Sequence, residues 1–162
     1  MADDLRARLM QLAEGWRRQS VDPSNWLKEE FVVRIGVACT AQPLPRSFRQ
    51  GPPHECFDNA AKLARNGDGL RYCEGFAAHP KAMVPFHHAW TVDDDFRVID
   101  VTLQQPETYA YLGVPFSQEE YLAETGRTLD GYYIGTAILV DTTGLARPEP
   151  ILRRCPELRE LL

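Results

Sequence analysis

Residues 84–102 read "VPFHHAWTVDDDFRVIDVT", and the fold turns on whether this stretch is a hairpin. Two alternating runs, 84–92 and 96–102, flank three consecutive aspartates at 93–95, the pattern of two antiparallel strands joined by a polar loop. With the turn centred on Asp94, Val92 faces Phe96, Trp90 faces Val98 and His88 faces Asp100. The Cβ atoms of such opposed pairs lie roughly 4.5–5.5 Å apart. Alternation then places Phe86, His88, Trp90, Val92, Phe96, Val98, Asp100 and Thr102 on one face, apolar except for one His and one Asp. The opposite face carries His87, Ala89, Thr91, Asp93, Asp95 and Arg97 and is mostly polar. His88, not His87, therefore points toward the core. A two-residue loop would shift the register and break the pairing.

A carboxylate facing a core costs several kcal/mol unless it is paired and hydrogen-bonded. Asp100 thus needs His88 or an equivalent donor. An acid that accepts from one imidazole nitrogen fixes the tautomer and leaves the other nitrogen as a base. The pair is either a structural hydrogen bond or two parts of a catalytic triad.

Upstream, Pro52 and Pro53 suit the first turn of a helix, where a missing N–H costs nothing. The expected helix runs to about Arg65, and "NGDG" (66–69) ends it. Cys56 falls near its start. A helix N-terminus and a nearby imidazolium both stabilise a thiolate and can lower its pKa from about 8.5 to ~3.5–7.5. The alternative is a small apolar side chain packed against Ala60 and Leu63.

Farther out, residues 3–19 place Leu5, Leu9, Leu12 and Trp16 at helical spacing, with Asp3 and Asp4 at the start and Arg17 and Arg18 at the end. This polarity suits a helix dipole. "DPSNW" (22–26) reads as a turn into a short second helix, and "FVVRIGVAC" (31–39) fits a strand or a buried helix equally. Pro43, Pro45, Pro52 and Pro53 make 41–53 an irregular loop. "LRYCEGFAA" (70–78) and "GYYIGTAILV" (131–140) read as strands, and "YLGVPFS" (111–117) as a loop beside the site. "SQEEYLAET" (117–125) reads as a helix with Ser117 and Glu120 in a capping box, and the tail after Pro148 as a short helix. Helices followed by mostly antiparallel strands give an α+β chain of one domain, 1–162.

Composition narrows the function. The 162 residues are 44% apolar and 25% charged, ordinary for a globular chain with a real core. Net charge is −5 without a basic run, which argues against a phosphate-tracking nucleic-acid surface. No apolar run approaches the ~18 residues of a membrane span, and no N-terminal h-region is seen, so no membrane partner and a cytoplasmic location are expected. Cys39, Cys56, Cys73 and Cys155 include no Cys-x-x-Cys pair, which favours reduced thiols over a zinc site or disulfides. A metal site drawing on His54, Cys56, Cys73 and His87 is disfavoured, because 54 and 56 do not share one side of a regular helix. No cofactor is expected. His79, before Pro80, reads as a solvated strand end, and Tyr72, Phe76, Tyr109 and Tyr111 as core and rim.

A helix-borne Cys56, then "LRYCEGFA" (70–77), "HAW" (88–90) and "IDVT" (99–102) together resemble the transglutaminase-like branch of the papain-like cysteine hydrolase superfamily. The resemblance covers about residues 50–103. It implies an α+β fold with the nucleophile helix packed on an antiparallel sheet, and a catalytic triad of Cys56, His88 and Asp100. It also implies chemistry on amides: peptide or isopeptide hydrolysis, deamidation, or acyl transfer to an amine. The partner would be an amide-bearing protein, peptide or small molecule. By the same resemblance Gln50, six residues before Cys56, would share an oxyanion hole with the Cys56 backbone N–H. The chain departs from the family pattern in Pro-Pro-His-Glu before Cys56 and in Val101, where proline is common. An inert scaffold of this kind, serving as a binding module, is the alternative.

Overall fold

A computed structural model describes residues 2–18, 27–66, 69–82, 84–125, 138–139 and 153. The chain is α+β. Helix α1 (Ala2–Arg18) is followed by α2 (Lys28–Ile35), strand β1 (Val37–Cys39), helix α3 (Cys56–Asn66), strands β2 (Arg71–Ala78), β3 (Phe86–Val92), β4 (Val98–Ile99) and β5 (Ala110–Phe116), and helix α4 (Gln118–Thr125). The strands form one antiparallel sheet in the order β1-β5-β2-β3-β4.

The sheet curls until its two edges meet. Thr40, just past β1, bridges Arg97, just before β4. The Thr40 N–H donates to the Phe96 carbonyl (2.9 Å) and the Val98 N–H to the Thr40 carbonyl (2.9 Å). The Gln42 amide adds a bond to the Val98 carbonyl (3.0 Å). The curl encloses Cys39, Cys73, Ala77, Trp90, Val92, Val98 and Tyr111, which come from all five strands. Trp90 is the largest of these, and Gly113 makes room for it: a Cβ there would lie 2.6 Å from the indole.

The outer face is buried too. Ala89 and Thr91 are covered, and Leu5, Leu9, Phe31, Val32 and the Ala60, Ala61 and Ala64 side of α3 pack over this side of the sheet. The mostly polar face expected from the hairpin is thus a second core, made by helices whose approach the strand pattern does not encode. α1 is locked to α2 by Arg6, which donates to the Val33 and Gly36 carbonyls, and by a two-pronged Arg17–Glu30 pair at 3.0 and 2.7 Å. Leu5 and Leu9 of the expected α1 stripe are buried, whereas Trp16 is half exposed.

Other expectations are corrected. "FVVRIGVAC" is both helix and strand, divided at Gly36, whose extended backbone (φ −69, ψ 144) stops α2. Residues 111–117 are not a loop: 110–116 form β5, buried along its whole length in the middle of the sheet. Pro115 disguised it. Proline is tolerated there because β1 begins only opposite Gly113, so no ladder on that side needs its N–H. The second hairpin strand is cut to Val98–Ile99. At α4 the capping box is present, with Glu120 N–H to Ser117 Oγ at 3.1 Å and Ser117 N–H to Glu120 Oε2 at 2.7 Å. The strand expected at 131–140, the turn at 22–26 and the C-terminal helix fall almost wholly outside the described residues. Among those residues no helix is long and apolar enough to cross a membrane.

Candidate active site

The hairpin register differs from expectation by two residues. Val92 pairs with Val98 and Thr91 with Ile99, which centres the turn on Asp95. Asp93 shapes it: its carboxylate accepts from the Asp95 and Arg97 N–H groups (3.0 and 2.9 Å) and from Arg97 Nε (2.7 Å). Burial raises the Asp93 carboxyl, but the Arg97 hydrogen bonds and charge together hold it below its usual range. Phe96 takes the left-handed conformation (φ 57), and Arg71 stacks 4.8 Å over its ring. Side chains alternate with period two, so a shift of two leaves every residue on its expected face. His88 and Asp100 become diagonal rather than directly opposed, and still meet: His88 Nε2 lies 2.7 Å from Asp100 Oδ2.

Asp100 is 1% exposed and fully satisfied. Oδ2 also accepts from the Tyr111 hydroxyl (3.0 Å), and Oδ1 accepts from the Thr102 and Leu103 N–H groups (2.8 and 3.2 Å). Four donors, two of them backbone, offset the desolvation of a charge that one imidazole would leave half-paired. Burial, followed by Asp100, raises the Tyr111 pKa, so its hydroxyl is a permanent donor. His88 lies between Phe86 and Trp90, with ring centroids at 5.5 and 6.0 Å. Burial alone would lower its pKa, but hydrogen bonding to Asp100 and to Cys56, reinforced by both charges, pushes it up to about 9. With Nε2 engaged by Asp100, Nδ1 is the nitrogen left for the thiol.

Cys56 is the first residue of α3. The helix does not start at the prolines as expected. Pro53 and His54 form a turn, with His54 at φ 65, and the first helical bond described runs from the Asn59 N–H to the Glu55 carbonyl (2.8 Å). That moves Cys56 closer to the positive end of the helix, where the opening N–H groups have no intrahelical acceptor. The thiol is partly exposed.

A backbone stitch joins the approach to Cys56 with the segment after Asp100. The Gly51 N–H donates to the Val101 carbonyl (2.7 Å). The buried Asn59 amide donates to the Pro52 carbonyl (2.8 Å) and to Thr102 Oγ1 (3.0 Å). A Cβ at position 51 would sit 2.6 Å from Asn59 Oδ1, so any side chain there would displace the Asn59 amide from these bonds. Gln50 is exposed, and its amide donates to the Leu103 carbonyl (3.1 Å). The fold therefore brings Cys56, His88 and Asp100 together, and ties Gln50 to the loop after Asp100.

Sequence reasoning missed Tyr111, which it placed with core and rim, and the Asn59 tie. A signal for Tyr111 existed: a buried carboxylate needs more donors than one imidazole supplies. It also missed a second polar knot on the outer face of the sheet. Glu74 is wholly buried and accepts from the Tyr72 hydroxyl (3.2 Å) and the Ile138 and Leu139 N–H groups (2.6 and 3.0 Å), with His87 Nε2 at 2.9 Å. Cys73 lies inside the curl with its pKa raised, first by burial and then by its hydrogen bond with Cys39. His79 is half-buried and meets the Tyr109 ring edge-on at 5.3 Å instead of standing in solvent. Searches of protein-family models, of curated proteins and of solved structures each find no match for this chain.

Proposed function

We propose that this chain is a thiol-dependent enzyme acting on amides, built on a papain-like, transglutaminase-like scaffold, with Cys56 as nucleophile, His88 as acid and base, and Asp100 as the residue that orients His88. The observation that carries this reading is a buried histidine whose one nitrogen is fixed by a fully bonded carboxylate and whose pKa is raised in part by a cysteine at the first position of a helix. That arrangement sets an oriented imidazole beside a thiol at a helix N-terminus, the pairing that activates a cysteine nucleophile.

In the reaction, the Cys56 thiolate attacks the acyl carbon and the imidazolium gives its proton to the leaving amine. A thioester remains on Cys56. Water or a second amine, deprotonated by the now neutral His88, attacks it and releases an acid or a new amide. The opening N–H groups of α3, with the remaining N–H of Gln50, would receive the oxyanion; one such donor is worth ~3–4 kcal/mol.

The test is the rate of iodoacetamide alkylation of Cys56 against pH, with the modified residue located by peptide mapping. Rapid labelling at pH 6, lost in both His88→Ala and Asp100→Asn, is the expected result. Cys56→Ala should abolish labelling and change stability by less than about 0.5 kcal/mol, as for other partly exposed positions. A thiol that labels only above pH 8, at the same rate in all backgrounds, would leave an inert scaffold acting as a binding module.

A further inference from the structure

An open groove of ≈ 360 Å³ lies between α3 and the loop that precedes it, within the ~300–1,000 Å³ typical of ligand sites. Gly51 and Val101 line it, and these are the two residues whose backbone bond ties the approach to Cys56 to the segment after Asp100. The groove therefore adjoins the proposed reactive centre. Among the described residues its charged lining is cationic: Arg49 comes from the loop and Lys62 from α3, with Phe48 as an apolar wall and the Asn66 amide at the far end. Both cations are exposed, and neither forms an ion pair within the described residues. Asp58, one turn before Lys62, does not pair with it. In a chain of net charge −5, two unneutralised cations facing one groove form a local attractive field for anions.

We propose that this groove is the substrate-recognition site and takes an acidic peptide segment, with its side-chain carboxylates on Arg49 and Lys62 while the acyl carbon lies at Cys56. This rests on the acyl-transfer function above and adds the substrate class. The helix sets the spacing. Lys62 is six residues beyond Cys56, about 9 Å along the axis, and an extended peptide advances ~3.3 Å per residue. The acidic side chain thus falls about three residues from the bond attacked.

The test is an NMR titration of the full chain with acetyl-Glu-Glu-Glu-amide and, separately, acetyl-Ser-Ser-Ser-amide, whose side chains carry no amide for the thiol to attack. Blocked ends leave only side-chain carboxylates to be recognised. The acidic peptide should shift the Arg49, Lys62 and Asn66 amides saturably. Its affinity should exceed that of the neutral peptide, and fall in Arg49→Gln/Lys62→Gln, by about tenfold or more, the equivalent of one charge-assisted contact. Equal affinity for both peptides, or no change in the double variant, overturns the groove even if Cys56 labels as a thiolate. Acidic-peptide binding by a chain whose Cys56 proves inert leaves the groove a peptide site and overturns its assignment to a substrate.

Discussion

Asp100→Asn separates the charge of Asp100 from its shape. The asparagine carbonyl can keep the bonds from the Thr102 and Leu103 N–H groups that Oδ1 now accepts. Its amide then replaces Oδ2 and meets Nε2 of His88, formerly 2.7 Å from a carboxylate. Donor would face donor unless the ring moves its proton to Nδ1, the nitrogen needed by the thiol. Burial, opposed then by Cys56 alone, would drive the His88 pKa down from about 9. In the parent, the rise from 6.5 to about 9 corresponds to on the order of 3 kcal/mol, at about 1.4 kcal/mol per pH unit. The sign follows from the direction. A histidine whose folded pKa is raised contributes stability that is fully present below the unfolded value near 6.5 and lost as pH rises through about 9. Urea unfolding followed by far-UV circular dichroism at pH 6, 7.5 and 9 should therefore show a parent-minus-variant gap that shrinks by up to about 3 kcal/mol from pH 6 to pH 9, leaving a pH-independent remainder from the Tyr111 hydroxyl, which loses its acceptor on Asp100. A gap independent of pH, or one that widens as pH rises, would refute the charged His88–Asp100 pair.

Two further outcomes follow from packing and buried polarity. Gly113→Ala would press a methyl to 2.6 Å from Trp90 and 3.0 Å from the Cys73 sulfur, and should cost about 1–3 kcal/mol, read as a lower urea midpoint at unchanged slope. Glu74→Ala would strip the acceptor from the Tyr72 hydroxyl and the Ile138 and Leu139 N–H groups. It should cost about 3 kcal/mol or more and speed hydrogen exchange at Ile138 and Leu139, measured by mass spectrometry.

The hairpin shows how a sequence can give the right contact through the wrong register. Alternation assigns faces with a period of two, so the His88–Asp100 meeting survived a turn centred one residue later than expected. What alternation cannot give is which faces are covered. Ala89 and Thr91 look like residues of a polar face, yet helices bury them, because helix placement depends on contacts distant in sequence. β5 was illegible for a local reason: Pro115 argues against a central strand, and only the late start of β1, opposite Gly113, makes it acceptable. The start of α3 was misplaced because Pro52 and Pro53 suit a first helical turn, while the left-handed His54 that delays it is a non-glycine residue in a conformation sequence seldom announces. Cys56, His88 and Asp100 were legible because each is chemically unusual where it stands. Tyr111 was not, since a tyrosine in an apolar run looks like packing until its hydroxyl is seen on Asp100.

The meeting of Thr40 with Arg97 also bears on strand-to-strand pairing between chains. Unpaired strand edges are templates for aggregation. Here the Thr40 N–H and carbonyl are spent on Phe96 and Val98, and the Val98 carbonyl is taken by Gln42. Where β5 outruns β1, Pro115 offers no N–H to a docking strand. The seam that closes the curl thus withholds the Thr40 and Val98 backbone groups from strand-to-strand assembly.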